Sequence, residues 1–256
     1  MGDVLQLSGK KALVTGGAVR IGRFICEALA RAGCDVAVHY RSSASEAALL
    51  VAQLVSCGVR ACSVQADLEN LDDVQQLVPS AADALAGLDI LINNASVFHK
   101  DNLLASSPDV LAHELGVNAL APIALMRAFA TLHGMHHTAA ATEAWPDAAI
   151  INILDRRVTK VEPGALPYNL SKRMLRDATC MAALELGPGI RVNAVAPGPI
   201  LPPPGEGDSY LAERAGPMVL AKRPRPEDVA NAVMFLLQAE GITGQVLYVD
   251  SGQHLL

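Results

Sequence analysis

Tyr168 and Lys172 stand four residues apart in PYNLSKRM, so on a helix both side chains lie on one face. A phenol titrates at about 10 when unperturbed, and a neighbouring ammonium draws it toward the range where it can exchange a proton at neutral pH. Lys172 could also hold a cofactor ribose. Near the start of the chain, Thr15-Gly16-Gly17-Ala18-Val19-Arg20-Ile21-Gly22 joins an apolar run to an amphipathic one. Glycines at such a strand-to-helix turn admit a pyrophosphate, for which the helix N-terminus supplies amide donors. Arg20 sits where many dinucleotide folds carry another glycine, and its guanidinium would face cofactor phosphate or a polar substrate group. An NAD site wants an acid about 20 residues after the glycines. Here that stretch reads His39-Tyr40-Arg41-Ser42-Ser43, with no acid between Asp35 and Glu46. Arg41 and the serine hydroxyls suit a 2′-phosphate that a carboxylate would repel, so the expected cofactor is NADP(H).

The elements that must position these groups are legible as short apolar runs alternating with amphipathic stretches. Strands are expected at Ala12–Thr15, Asp35–Tyr40, Arg60–Gln65, Asp89–Asn93, Ala149–Leu154, Arg191–Ala196 and Gln245–Val249. Consecutive apolar residues, as in Ile90-Leu91-Ile92, suit strands covered on both faces. Strand and helix in strict alternation predict an α/β fold, a parallel sheet wound on both faces in one domain. Asp67 and Leu68 follow the third strand and Asn93-Asn94-Ala95-Ser96 the fourth, at strand ends where adenine and ribose are met. Two segments break the rhythm. Residues 131–147 hold His133, His136 and His137 without an acid or thiol to complete a ligand set, and read as a solvated loop with no metal. Residues 197–208 are rich in proline and follow the sixth strand, so a lid over the ligand is expected around 197–215.

The 256 residues carry 20 basic and 26 acidic side chains, a net charge of −6, which offers no footprint for nucleic acid or an anionic membrane. No apolar run is expected to approach the ~18 residues of a membrane span, and no signal peptide is apparent. Five cysteines without a CxxC pair read as reduced thiols of a cytoplasmic protein.

Taken together, TGGAVRIG, Asp67, NNAS, the Asn118-centred GVNALAP, Tyr168-x-x-x-Lys172 and Pro197-Gly198 resemble the short-chain dehydrogenase/reductase family over nearly the whole chain. The resemblance implies a seven-stranded Rossmann sheet, a homotetramer and a proton relay mapping onto Asn118, Asp155, Tyr168 and Lys172. The family's usual serine, 13 positions before the tyrosine, is Asp155 here. Aspartate at that place resembles the pteridine reductases, as do the T-G-x-x-x-R-x-G form with Arg20, HYRSSASEA, and NNASVF. That likeness implies that Arg20 contacts cofactor phosphate and substrate, that Ser96 contacts cofactor, and that Phe98 stacks a pterin on the nicotinamide.

A carboxylate can accept from a pterin's amine donors, whereas a serine better polarises a ketone. Asp155 beside Tyr168 would raise the phenol's pKa, opposing Lys172, so Tyr168 should stay protonated until it donates. The expected reaction is hydride transfer from NADPH to a pterin C=N carbon, the proton coming from Tyr168 or from water. Asp155 could instead be a structural partner of Arg156 or Arg157, and Phe98 could be core. The rival function is an NADPH-dependent carbonyl reductase for 3-oxoacyl thioesters or small ketones; a cofactor-binding sensor without turnover is the third. Val229, Val233, Phe235 and Leu236 could build a subunit interface or the monomer core.

Overall fold

The computed structural model describes residues 7–135, 147–203 and 205–256. Seven strands form one sheet: β1 (Lys11–Val14), β2 (Asp35–Tyr40), β3 (Ala61–Gln65), β4 (Ile90–Asn93), β5 (Ala148–Ile153), β6 (Ile190–Pro197) and β7 (Val246–Val249). Their order is β3-β2-β1-β4-β5-β6-β7 and every pairing is parallel. The helices are α1 (Arg20–Arg31), α2 (Ala44–Ser56), α3 (Leu71–Leu85), α4 (Pro108–Leu115), α5 (Ala121–Leu132), α6 (Leu166–Leu186), α7 (Asp208–Arg214) and α8 (Pro226–Gln238). This is the doubly wound Rossmann fold, and β2 falls where the sequence puts it, with the other strands within a residue at either end.

The continuous apolar runs are explained by two cores, one on each face. Ile90 and Ile92 face α1, α2 and α8, while Leu91 between them faces α3, α5 and α6. Ile25 and Leu29 of α1 meet Val229, Val233 and Leu236 of α8 on the first face. Each such side chain contributes roughly 1.5–3 kcal/mol on burial. Three of the four late-helix residues weighed as an interface are therefore core, and only Phe235 is exposed.

Two further expectations need correction. Pro108–Leu132 is one continuous helical run of 25 residues, long and apolar enough to cross a membrane by length and composition. Half of its most apolar stretch is buried inside the fold, where its parts pack on α3 and α6. His133 is not on a solvated loop: it caps α5, its ring edge-on to buried Phe129 at 4.7 Å. His136 and His137 lie outside the described residues, as does Pro204 of the proline-rich stretch. All five cysteines are free thiols, and burial pushes those of Cys26 and Cys34 up, away from reactivity.

Candidate active site

At the end of β1 the chain turns through Gly16, at φ 60°, and packs so closely that side chains are excluded. A Cβ on Gly22 would lie 2.2 Å from the Gly16 carbonyl oxygen and 2.6 Å from Asn94 Nδ2. Such a cradle fits a pyrophosphate approaching the backbone at the start of α1, whose first-turn N–H groups have no intrahelical acceptor. Asn94 braces it, its amide donating to the carbonyls of Thr15 (2.9 Å) and Gly16 (3.2 Å), while Ala95 packs against Gly16. Ile21 and Leu68 are packed nearby on either side of the sheet.

Sequence reasoning missed His39. Its Nδ1 accepts from the Gly16 N–H at 2.9 Å and its Nε2 lies 3.1 Å from the Ala66 carbonyl, so the buried ring ties the glycine turn to the end of β3. Burial lowers its pKa, which keeps it neutral and its Nδ1 free to accept. The only signal was a histidine inside an otherwise apolar strand.

Arg20 adopts φ 54°, the left-handed conformation that explains why glycine is common at this place. Its guanidinium donates to the Pro202 carbonyl at 2.9 Å, joining the cradle to the 197–215 segment. Past the prolines the segment forms α7. Gly198 is again a close approach, with a Cβ there 2.9 Å from Asp250. Tyr40 ends β2 and Arg41 and Ser42 follow it, with Arg41 3.7 Å from Glu69. Asp67 holds the next turn by accepting from the Glu69 N–H.

Across the strand ends lies the second cluster. Asp155 divides its carboxylate: Oδ1 caps a short 3-10 turn by accepting from the Arg157 N–H at 2.8 Å, and Oδ2 accepts from the Tyr168 hydroxyl at 3.3 Å. The Arg156 and Arg157 side chains clasp Glu162 rather than Asp155. Lys172 is buried and donates to the Ile153 carbonyl at 2.9 Å, with its ammonium 5.8 Å from the Tyr168 ring centroid. Burial and the Asp155 charge hold the Tyr168 phenol well above its ordinary value, outweighing the opposing charge of Arg157. Burial pulls Lys172 itself down to about 8. Phe98 is not core: it is 49% exposed, its ring edge-on to Tyr168 at 4.9 Å.

Asn118 sits in a π-turn, Gly116–Leu120, between α4 and α5. Its Oδ1 accepts from the Val97 N–H and the Ser96 hydroxyl, and its Nδ2 donates to the Val97 carbonyl, Ser171 Oγ and Glu114. The Ser171 hydroxyl donates in turn to the Tyr168 carbonyl. The structure thus gathers Asn118, Asp155, Tyr168, Lys172, Ser96 and Phe98 at one side of the cradle.

A parallel sheet in this order, a glycine cradle at its first turn and a tyrosine-lysine pair beyond its fourth and fifth strands define a dinucleotide-dependent oxidoreductase. A family model described as enoyl-(acyl carrier protein) reductase matches residues 17–254, and the chain belongs to the short-chain dehydrogenase/reductase family. It is 32% identical to a 3-oxoacyl-[acyl-carrier-protein] reductase of Synechocystis, over 96% of this chain and 97% of that protein. Among solved structures, FolM alternative dihydrofolate reductase 1 from Brucella canis, complexed with NADP, is 35% identical with a TM-score of 0.89, covering 98% of this chain and 96% of that one. A short-chain dehydrogenase from Burkholderia cenocepacia, also with NADP, is 34% identical with a TM-score of 0.86, covering 96% and 98%. The protein is an NADP-dependent reductase.

Proposed function

We propose that this enzyme reduces a C=N bond of a dihydropterin or dihydrofolate. The observation carrying the reading is the Asp155 carboxylate, one oxygen of which faces the Tyr168 hydroxyl. An ionised carboxylate accepts the amine and ring N–H donors of a pterin, whereas it repels the lone pairs of a ketone oxygen. Phe98, exposed beside Tyr168, offers the face on which a flat ring stacks, worth about 0.5–1.5 kcal/mol beyond area burial. The likeness to proteins named alternative dihydrofolate reductase supports the same substrate class. The second reading, reduction of a 3-oxoacyl thioester, is favoured by relatives named for that activity. It leaves Asp155 with no part beyond capping its turn.

In this proposal Gly16, Arg20, Ile21, Gly22, Asn94, Ala95, Ser96, Pro197 and Gly198 cradle the cofactor, with Asp67 and Leu68 at its adenine. Bound there, NADPH supplies the hydride. Tyr168, kept protonated by burial and Asp155, donates the proton to the neighbouring nitrogen. Lys172 holds the nicotinamide ribose and adds positive charge under the phenol. Asn118 fixes the loop carrying Ser96 and Phe98. Residues 197–215 close over the site, pinned to it by Arg20. NADPH deuterated at the transferred hydrogen tests the reaction: deuterium is expected on the ring carbon of tetrahydrobiopterin, and its absence there contradicts the reading.

Tyr40, Arg41 and Ser42 bind the 2′-phosphate. A charge-assisted hydrogen bond is worth about 1.5–3 kcal/mol, so Arg41→Ala should raise the KM for NADPH about 10- to 150-fold and leave NADH turnover unchanged. Activity should fall as pH rises through about 8, because Lys172 loses its ammonium there. The unfolded lysine keeps its proton to about 10.5, so the cost this group imposes on the fold is full below about 8 and fades as pH rises from about 8 to 10.5. A pH–rate profile flat to pH 10 would contradict this role.

We further propose a cytoplasmic homotetramer. Leu170, Met174, Met181 and Leu184 leave an apolar stripe exposed along α6, which a second copy would cover. Light scattering should give a tetramer, and Leu184→Glu should dissociate it.

A further inference from the structure

We infer that Glu114 is a positioning residue for the active site, a buried carboxylate that fixes Phe98 by holding the backbone on both sides of it. Glu114 is 0% exposed, at the end of α4, and nothing in the hydride-transfer chemistry uses it. On one side of Phe98, Glu114 Oε1 accepts from the His99 N–H at 2.5 Å and pairs with the His99 ring Nδ1 at 2.9 Å. On the other, Oε2 accepts from Asn118 Nδ2 at 2.7 Å. Asn118 in turn brackets Val97, accepting from its N–H at 2.8 Å and donating to its carbonyl at 2.9 Å. Residues 97 and 99 are therefore both fastened to one carboxylate, directly or through a single amide. Phe98 between them projects to the ring contact with Tyr168.

The carboxylate is chemically specific. Two N–H groups, the His99 amide and Asn118 Nδ2, donate to Glu114, one to each oxygen, so both oxygens serve as acceptors. A glutamine in its place has one acceptor and one NH2, and the NH2 must face either the Asn118 amide or the His99 N–H. Burial raises the Glu114 carboxyl while the His99 bonds pull it back toward ionisation. A leucine or valine would satisfy an ordinary helix–helix contact here; a buried carboxyl is kept only where its oxygens are paired. The inference rests on the reading of Phe98 and Tyr168 as walls of the substrate site, and it does not depend on whether the substrate is a pterin or a thioester.

The test is hydrogen exchange of the NADPH-bound protein, followed at the Val97 and His99 amides and at β4 and β5. A bond to a charged group opens about ten-fold or more readily once its acceptor is compromised. Glu114→Gln should therefore speed exchange at 97 and 99 by about that factor, with β4 and β5 unchanged. Equal acceleration in the loop and the strands would make Glu114 merely structural and overturn the proposal. Kinetics supply the second arm, with dihydrobiopterin or an acetoacetyl thioester, whichever is turned over. E114Q should raise the substrate KM about ten-fold. Added to Phe98→Ala it should change KM less than about two-fold further, since both act on one contact. Independent, multiplying effects overturn the proposal. Should E114Q fail to fold, His99→Ala, which removes the ring bond but keeps the backbone one, should raise KM about three-fold; an unchanged KM and unchanged exchange contradict the assignment. Failure of the pterin reading alone leaves the exchange result intact.

Discussion

Replacing Tyr168 with phenylalanine should lower kcat about a hundred- to ten-thousand-fold, the usual contribution of a positioned proton donor. The substitution removes one oxygen and keeps the ring, so the edge-on contact with Phe98 at 4.9 Å and the packing of α6 persist. Because the lost group acts on the reacting atoms and not on cofactor affinity, the Kd for NADPH should change less than about two-fold, which separates loss of chemistry from loss of binding. The phenol is held above its ordinary value by burial and by Asp155, so wild-type activity at neutral pH draws on a fully protonated donor. Retention of more than about a tenth of wild-type kcat by Tyr168→Phe would move proton delivery to water.

Asp155→Ser should have the second largest effect, and it should depend on the substrate. With a dihydropterin, the lost hydrogen bonds to an ionised acceptor are worth about 1.5–3 kcal/mol, a fall of about 10- to 150-fold in kcat/KM. With an acetoacetyl thioester, turnover should hold or rise, because a serine hydroxyl donates to a carbonyl oxygen where the carboxylate repels it. The backbone is spared, since a serine oxygen can replace Oδ1 as the cap that accepts from the Arg157 N–H at 2.8 Å. Removing the carboxylate also removes a charge that holds up the Lys172 ammonium, so the basic limb near pH 8 should move to lower pH. Equal loss on both substrates would reduce Asp155 to a cap.

Strand positions and the glycine cradle were legible because they rest on local pattern: apolar runs for a sheet covered on both faces, and glycines where a backbone must come close. The choice of NADP was legible for a similar reason, since no acid stands at the end of β2 at a fixed distance from the glycines. Residues whose role depends on distant partners were not. His39 looks like one more strand residue until the turn at Gly16 meets its Nδ1, and Glu114 looks like the solvated face of a helix until His99 and Asn118 close over it. The guanidinium of Arg20 was expected at phosphate or substrate, and nothing local could reveal its bond to Pro202, 182 residues away. The long apolar run through α4 and α5 was underestimated because Glu114 and Asn118 interrupt it in sequence, although both are buried in the fold.

The relative kcat/KM for dihydrobiopterin and an acetoacetyl thioester, measured with NADPH on the wild-type protein, tests the substrate assignment most directly. A carboxylate facing Tyr168, with Phe98 alongside, predicts preference for the pterin by about ten-fold or more. Turnover of the thioester without turnover of the pterin would contradict it.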